Sequence, residues 1–345
     1  MVEVQVRDQD AFDVERFGAW LGDAVPGLGQ IQRVFQFAGG ASNLTFQIDC
    51  AHDSVVMRTS PTGRKAASAH DMQREARLLT ALRPGFDKVP AVLATAGDDS
   101  PIGRPLFISE YVAGTILRRD LPDGAPVEAM ADTFVQSLVD LHAVDTSTGE
   151  LAAFNKGDGY VRRQVEGWST RYRQAHTDDV PDGEAVMAWL DERQPADVAA
   201  CVIHNDWRFD NVVLDQNDPL KVIGVLDWEM ATLGDPLMDL GSALAYWVQA
   251  DDDMFMKGSR RQPTNAPGML TRDEVVRYYS EQTGISVDNF DFYTVFGLFR
   301  LAGIAQQIYK RFKEGNARNP AFATFGPFVS YLEQRCLGII AQSKL

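Results

Sequence analysis

The sequence predicts an α+β protein in two lobes, a small N-terminal lobe on an antiparallel sheet and a larger helical C-terminal lobe. Three observations predict it. Strand-like runs cluster ahead of residue 112, and amphipathic stretches at helical spacing fill most of the chain after it. The length of 345 residues suits about two such units at ~100–200 residues each. The expected division falls between residues 1–112 and 113–345.

Taken in order, residues 11–24 read as a helix with Phe12, Val14, Phe17, Trp20 and Leu21 on its apolar side. Strand-like runs come next at 31–37, 44–48 and 54–58, the first two joined by the turn Ala38-Gly-Gly-Ala-Ser-Asn43. A helix is expected over 68–83, where Ser68 and Asp71 have capping-box spacing and Met72, Ala76, Leu79 and Leu82 share a face. Runs at 91–93 and 106–111 suggest another strand pair, leading to a hinge. Helices are expected at 126–142, 160–176, 183–193, 237–249, 272–284, 291–314 and 327–341. Between them, Val212-Val-Leu214 and Val222-Ile-Gly-Val-Leu226 read as buried strands around the turn-rich Asp215-Gln-Asn-Asp-Pro219. Residues 251–268 mix charge with Pro and Gly without periodicity and are expected to be disordered.

Composition narrows the function. Hydrophobic residues at 45% and charged residues at 23% are ordinary for a globular protein. A net charge of −15 argues against nucleic-acid or anionic-membrane partners, whose phosphates would be repelled. It permits a cationic substrate without requiring one. Cys50, Cys201 and Cys336 are too scattered for a metal site and read as reduced thiols of a cytoplasmic protein. The N-terminus has no signal-peptide pattern, and no apolar run approaches the ~18 residues of a membrane span. Oligomeric state is not legible.

The chemistry concentrates in Ile203-His-Asn-Asp-Trp-Arg-Phe-Asp-Asn-Val-Val-Leu214 and the later Asp227. A hairpin of the two buried strands brings Asn211 and Asp227 together, with Asp206 in the loop entering it. Such an oxygen-rich trio suits phosphoryl transfer: one carboxylate orients a hydroxyl, while an amide and a second carboxylate hold magnesium. Asp and Asn are also ordinary turn residues, so spacing alone would not decide the matter.

With His204 and the apolar flanks added, the segment resembles the His-x-Asp-x4-Asn loop of the aminoglycoside phosphotransferase and choline kinase superfamily, relatives of the protein kinases. The resemblance implies a protein-kinase-like fold, a cleft between lobes, and an ATP- and Mg2+-dependent kinase acting on a small-molecule hydroxyl, with GTP left open. It implies Asp206 as the base and His204 as a brace of the loop. Asn211 and Asp227 become metal ligands, and Asp239 a support for loop N–H groups. On the strand at 54–58, Val56 and Arg58 face the same way; the resemblance places Val56 over adenine and Arg58 on phosphate, in place of the usual lysine. Glu75 falls on the inward stripe of its helix, where a carboxylate wants a partner, and the resemblance offers Arg58. Gly40 and Ser42 in the 39–43 loop are phosphate-side candidates, although Gly-Gly often marks only a turn. Backbone groups from Glu110 to Val112 would meet the adenine edge.

Two departures qualify this. Asn205 stands where Gly is usual, as in choline and ethanolamine kinases, and Trp228-Glu229 replaces Phe-Gly after Asp227. Further similarity extends over roughly residues 30–315. Ser68-Ala-His-Asp-Met-Gln-Arg-Glu75, Gly159-Tyr-Val-Arg-Arg-Gln164, Leu226-Asp-Trp-Glu-Met-Ala-Thr-Leu-Gly-Asp-Pro-Leu237 and Phe299-Arg-Leu-Ala-Gly-Ile-Ala-Gln306 resemble the kinase-like branch fused to acyl-CoA dehydrogenases. The chain is expected to be a stand-alone form of that branch, which suggests a hydroxyacyl-type acceptor. The alternatives are a choline-like amine, with Tyr246, Trp247 or Tyr309 as a cation–π wall, an aminoglycoside, or a nucleotide-binding pseudokinase. Candidate acceptor residues are Glu229, Arg208, Arg300 and Tyr309. Arg300 interrupts an otherwise apolar helix and so asks for an anionic partner, on a substrate or inside the protein.

Overall fold

The alternating runs between 31 and 58 do form strands, because every second side chain can be buried against one apolar layer. The computed structural model describes residues 2–38, 43–61, 71–317 and 319–345. Its strands are β1 (Val2–Val4), β2 (Ile31–Ala38), β3 (Leu44–Cys50), β4 (Ser54–Thr59), β5 (Val92–Ala96), β6 (Leu106–Glu110), β7 (Cys201–Ile203), β8 (Val212–Leu214), β9 (Val222–Val225) and β10 (Thr232–Gly234). Its helices are α1 (Val14–Ala24), α2 (Met72–Leu82), α3 (Val127–His142), α4 (Gly149–Ala152), α5 (Tyr160–Ala175), α6 (Glu184–Arg193), α7 (Pro236–Leu244), α8 (Met254–Ser259), α9 (Arg272–Thr283), α10 (Phe290–Lys313) and α11 (Phe325–Gln342). The chain divides into two units: Met1–Leu117 with Ser147–Phe154 and Asp210–Ala231, and Arg118–Thr146 with Asn155–Phe209 and Thr232–Leu345. The predicted α+β class holds, with an antiparallel sheet in the N-terminal unit and a larger helical unit.

In the first unit the six-stranded sheet has the order β1-β2-β3-β4-β6-β5, each pair antiparallel. Phe46, Ile48, Val55, Met57, Leu106 and Ile108 form its core with Phe17 and Leu21 of α1. Helix α1 starts at Asp13, whose side chain accepts from the Arg16 N–H. The β8–β9 hairpin belongs to this unit, with Val212 paired to Val225. Glycine is needed at Gly114 and Gly224. A Cβ at the first would stand 2.5 Å from the Leu214 carbonyl, and at the second 2.8 Å from a Val112 methyl carbon.

The second unit packs around α10, which buries Phe292, Val295, Phe296, Phe299 and Ala302 against neighbouring helices. Helices α7 and α10 touch backbone to backbone: a Cβ on Gly297 would lie 2.1 Å from the Gly241 carbonyl oxygen. Among the described residues no helix is long and apolar enough to cross a membrane, and the three cysteines are free and buried.

Three local expectations are corrected. Helix α2 begins at Met72, not at 68; Asp71, accepting from the Arg74 N–H, is its N-cap, and Ser68 lies outside the described residues. Helix α7 ends at Leu244, and Trp247 is anchored through its indole N–H to the Leu270 carbonyl. Residues 251–268 are not structureless: they hold α8 and the buried Asp252, Gln262 and Thr264. Asp252 accepts bidentately from Arg272 at 2.8 Å and from Arg335 at 3.2 Å. These long-range polar contacts order a segment that has no apolar periodicity to reveal it.

Candidate active site

Strand β4 buries Val55 and Met57, which turns Val56 and Arg58 to the opposite face. On α2, Glu75 shares the inward stripe with Met72, Ala76 and Leu79 and is 3% exposed. Its carboxylate stands 3.3 Å from the Arg58 guanidinium. Two nitrogens of Arg58 also reach Asp227 Oδ1, both at 3.2 Å, and a third carboxylate, Glu229, lies at 3.4 Å. Burial works against the Arg58 charge, but Glu75, then Asp227 and Glu229, more than offset it and hold the guanidinium protonated. Burial pushes the Glu75 carboxyl above its ordinary range despite the pull of Arg58.

Glu229 also accepts from the Asn43 amide at 2.7 Å, which ties the end of the β2–β3 connection to the segment after β9. Gly40 and Ser42, in that connection, lie outside the described residues. Glu110 ends β6 and pairs with Arg83 at 2.9 Å, and Val112 packs on Gly224.

Asp227 follows β9 in the left-handed region, with φ 66°. Its neighbour Trp228 is buried, donates its indole N–H to the Val225 carbonyl and meets Phe86 edge to face. Asn211 ends the 3-10 turn before β8, and its carbonyl accepts the Leu226 N–H at 2.8 Å. The hairpin thus brings Asn211 and the residues around Asp227 together. Asp227 keeps 41% of its side chain exposed.

Within the second unit the loop 204–209 alternates. Trp207 and Phe209 are buried against Phe134, whereas Asp206 and Arg208 keep 20% and 17% of their side chains exposed. Arg208 approaches Asp206 at 3.4 Å and lies 5.0 Å over the Tyr246 ring. Backbone bonds fix the loop. Asp239 on α7 accepts from the His204 and Asn205 N–H groups, both at 2.7 Å. The Asp206 N–H donates to His204 Nδ1 at 3.2 Å, so His204 braces the loop. Fully buried Asp239 is disfavoured by burial, yet its His142 hydrogen bond and loop partners hold its carboxyl below the usual range.

Sequence reasoning missed His142, which bonds Asp239 at 3.1 Å and the Tyr279 hydroxyl at 2.6 Å. No local pattern could reveal it, because its partners are 97 and 137 residues away. It also missed Tyr160, 3.4 Å from the Asn205 side chain. The acceptor candidates already have partners within the protein. Glu229 sits on Arg58, Arg300 donates to the Asn205 carbonyl, and Tyr309 donates to Asp179 at 2.7 Å beside Lys313. Trp247 is 1% exposed, and the Tyr246 and Tyr309 rings already carry Arg208 and Lys313.

Comparison with known proteins identifies the family and agrees with the fold. Residues 34–274 match the phosphotransferase enzyme family. Mouse acyl-CoA dehydrogenase family member 10 is 37% identical over 289 residues, covering 82% of this chain and 27% of that protein. The chain therefore spans about a quarter of that relative, and 41% of rat acyl-CoA dehydrogenase family member 11, which is 32% identical over 324 residues. A structure from Ralstonia eutropha JMP134, provisionally described as an aminoglycoside phosphotransferase, superposes with a TM-score of 0.81 at 29% identity, covering 97% of this chain and 100% of that one. Choline kinase from Cryptosporidium parvum Iowa II shares the fold at a TM-score of 0.66 and 11% identity, covering 96% of each chain.

Proposed function

The chain belongs to the phosphotransferase enzyme family, and on that premise we propose that it is an ATP- and magnesium-dependent kinase acting on a small-molecule hydroxyl. One observation carries the reading: a single buried guanidinium, Arg58, joins the helix carboxylate Glu75 to Asp227 at the end of β9. A cation held this firmly suits phosphate oxygens, and its planar donors match them bidentately.

The residues present fit magnesium and nucleotide. Asp227 and Asn211 are hard oxygen donors beside one hairpin, and magnesium commonly takes one or two protein oxygens, leaving the rest to phosphate and water. Bound Mg·ATP would supply the phosphoryl group. In this reading Arg58, held in place by Glu75, binds the phosphates, and Val56 and the 110–112 backbone face the base. Glu229, expected beside the acceptor, shares Arg58 and Asn43 and is better assigned to the phosphate side. Asp206 orients and deprotonates the acceptor hydroxyl, with His204 and Asp239 fixing its backbone. Residues 1–112 carry nucleotide contacts and 113–345 the catalytic, metal and acceptor groups, with Glu229 added to the phosphate side.

For the acceptor, a hydroxyacyl-type metabolite is the reading favoured here. The similarity to acyl-CoA dehydrogenase family proteins supports it, as does Arg208, a cation beside Asp206. Buried Trp247, and the cations already beside Tyr246 and Tyr309, favour this class over a quaternary amine.

An isotope-labelled ATP screen against hydroxyacyl-CoAs, aminoalcohols and aminoglycosides tests the acceptor class. With any accepted substrate, Asp206→Asn should lower turnover ~100-fold while sparing ATP affinity. Nucleotide binding should require magnesium and weaken in Asp227→Ala. Magnesium-independent binding without transfer would favour a pseudokinase instead.

A further inference from the structure

The peptide unit linking Asn205 to Asp206 is held at both ends. Its N–H donates to His204 Nδ1 at 3.2 Å, and its carbonyl oxygen accepts from Arg300 Nη2 at 2.8 Å. Asn205 stands at φ 64°, a left-handed conformation that a non-glycine residue keeps only under constraint. Asp239 supplies that constraint to the N–H groups of His204 and Asn205. Those two bonds stop short of the following peptide plane, whose rotation about the Asn205 ψ bond would swing the Asp206 carboxylate. Arg300 opposes it from α10.

Arg300 is built into place. The residue is 3% exposed, and its guanidinium carbon lies 5.3 Å from the centre of the Trp168 ring. It stands one turn beyond Gly297, where α10 meets Gly241 of α7 without intervening side chains. The same crossing brings Asp239, two residues before Gly241, to the loop. Two small residues thus let one helix deliver the acceptor for two loop N–H groups, and the other the donor for the next loop carbonyl.

The geometry points to Arg300 as a positioning residue that fixes the Asn205–Asp206 peptide plane and thereby aims the Asp206 carboxylate. The inference rests on Asp206 as the base, and it takes Arg300 off the acceptor: the cation acts through the loop and touches no substrate. Misplacing a catalytic group by about 1 Å can cost ~100-fold in rate, so loss of this anchor has a measurable consequence.

The test uses the full chain and Mg·ATP, with phosphate release to water as the turnover readout, fluorescent ATP-analogue binding, and hydrogen–deuterium exchange of the peptide covering 203–209. In Arg300→Leu, phosphate release should fall ~10-fold or more and exchange in 203–209 should rise, with nucleotide affinity within about two-fold of the parent. Arg300→Lys keeps a donor and should recover part of both losses; if Arg300→Leu does not fold, Arg300→Lys carries the test by the same criteria. Unchanged exchange in 203–209 overturns the inference, as does turnover that falls only in step with nucleotide affinity. Asp206→Asn, run alongside, separates the two readings. If it is inactive while both Arg300 variants turn over normally, only the positioning role fails; if it turns over normally, the base assignment fails and takes the positioning role with it.

Discussion

Replacing Arg58 by Met keeps most of the side-chain volume and removes the cation from a site where Glu75 is 3% exposed. Breaking a buried pair in this way typically costs ~3–5 kcal/mol, because the remaining charge is stranded. Here the loss has a ceiling, since Glu75 can escape by taking up a proton. Its ordinary pKa is 4.5, and burial already holds it above that value. Neutrality lies roughly 2.5 units higher, and each unit is worth ~1.4 kcal/mol, so proton uptake at pH 7 limits the cost to ~3.5 kcal/mol. Asp227 and Glu229 add less, with side chains 41% and 19% exposed. Linkage sets the sign. An acid with a raised folded pKa destabilises the fold once pH exceeds the unfolded value, and the cost grows until pH passes the folded value. The ceiling therefore shrinks to under ~1 kcal/mol at pH 5. Urea denaturation of the parent, Arg58→Met, Glu75→Gln and the double variant at both pH values reads this directly. The double variant should recover most of the loss seen at pH 7. A deficit equally large at pH 5, or additive effects of the two substitutions, would refute the stranded-carboxylate argument.

Gly297→Ala should destabilise by ~3 kcal/mol or prevent folding, because its Cβ would meet the Gly241 carbonyl at 2.1 Å. In contrast, Gly338→Ala, with nothing within 4 Å on helix α11, should stabilise by ~0.5–1 kcal/mol, both variants being read by thermal melts. Asp252→Ala strands Arg272 and Arg335 and should cost ~3 kcal/mol at neutral pH by urea titration. Burial disfavours the Asp252 charge, but its bonds to Arg272, the Gln249 N–H and Arg335 hold the carboxyl below its ordinary 3.8. Its contribution is therefore complete above about pH 4 and fades as pH falls through the depressed value.

Much of the first unit was legible because its determinants are local. The period-two burial of β4 faces Val56 and Arg58 together, and the 3.6-residue stripe of α2 turns Glu75 inward. Two apolar runs around a turn place Asn211 beside the Asp227 segment for the same reason. Even the alternation in Asp206-Trp-Arg-Phe209 was available: buried Trp207 and Phe209 leave Asp206 and Arg208 on the other side. What stayed hidden was set by distance along the chain. His142 reaches Asp239 across 97 residues, Arg272 and Arg335 reach Asp252 across 20 and 83, and Arg300 reaches Asn205 across 95.

That division has a chemical consequence for the loop at 204–206. Its motif is local and names the group that would react, but an αL residue at Asn205 is unfavourable in isolation and needs bonds from elsewhere. Asp239 and Arg300 supply them from two helices whose contact depends on Gly241 and Gly297. A charged residue in an apolar helix such as α10 invites assignment to a ligand. Arg300 instead donates to a backbone carbonyl, which needs no complementary charged side chain and leaves no trace in the local sequence. On the proposed assignment of Asp206 as the base, its aim is a property of the α7–α10 crossing as much as of the motif, and Gly297 belongs to the same mechanical unit.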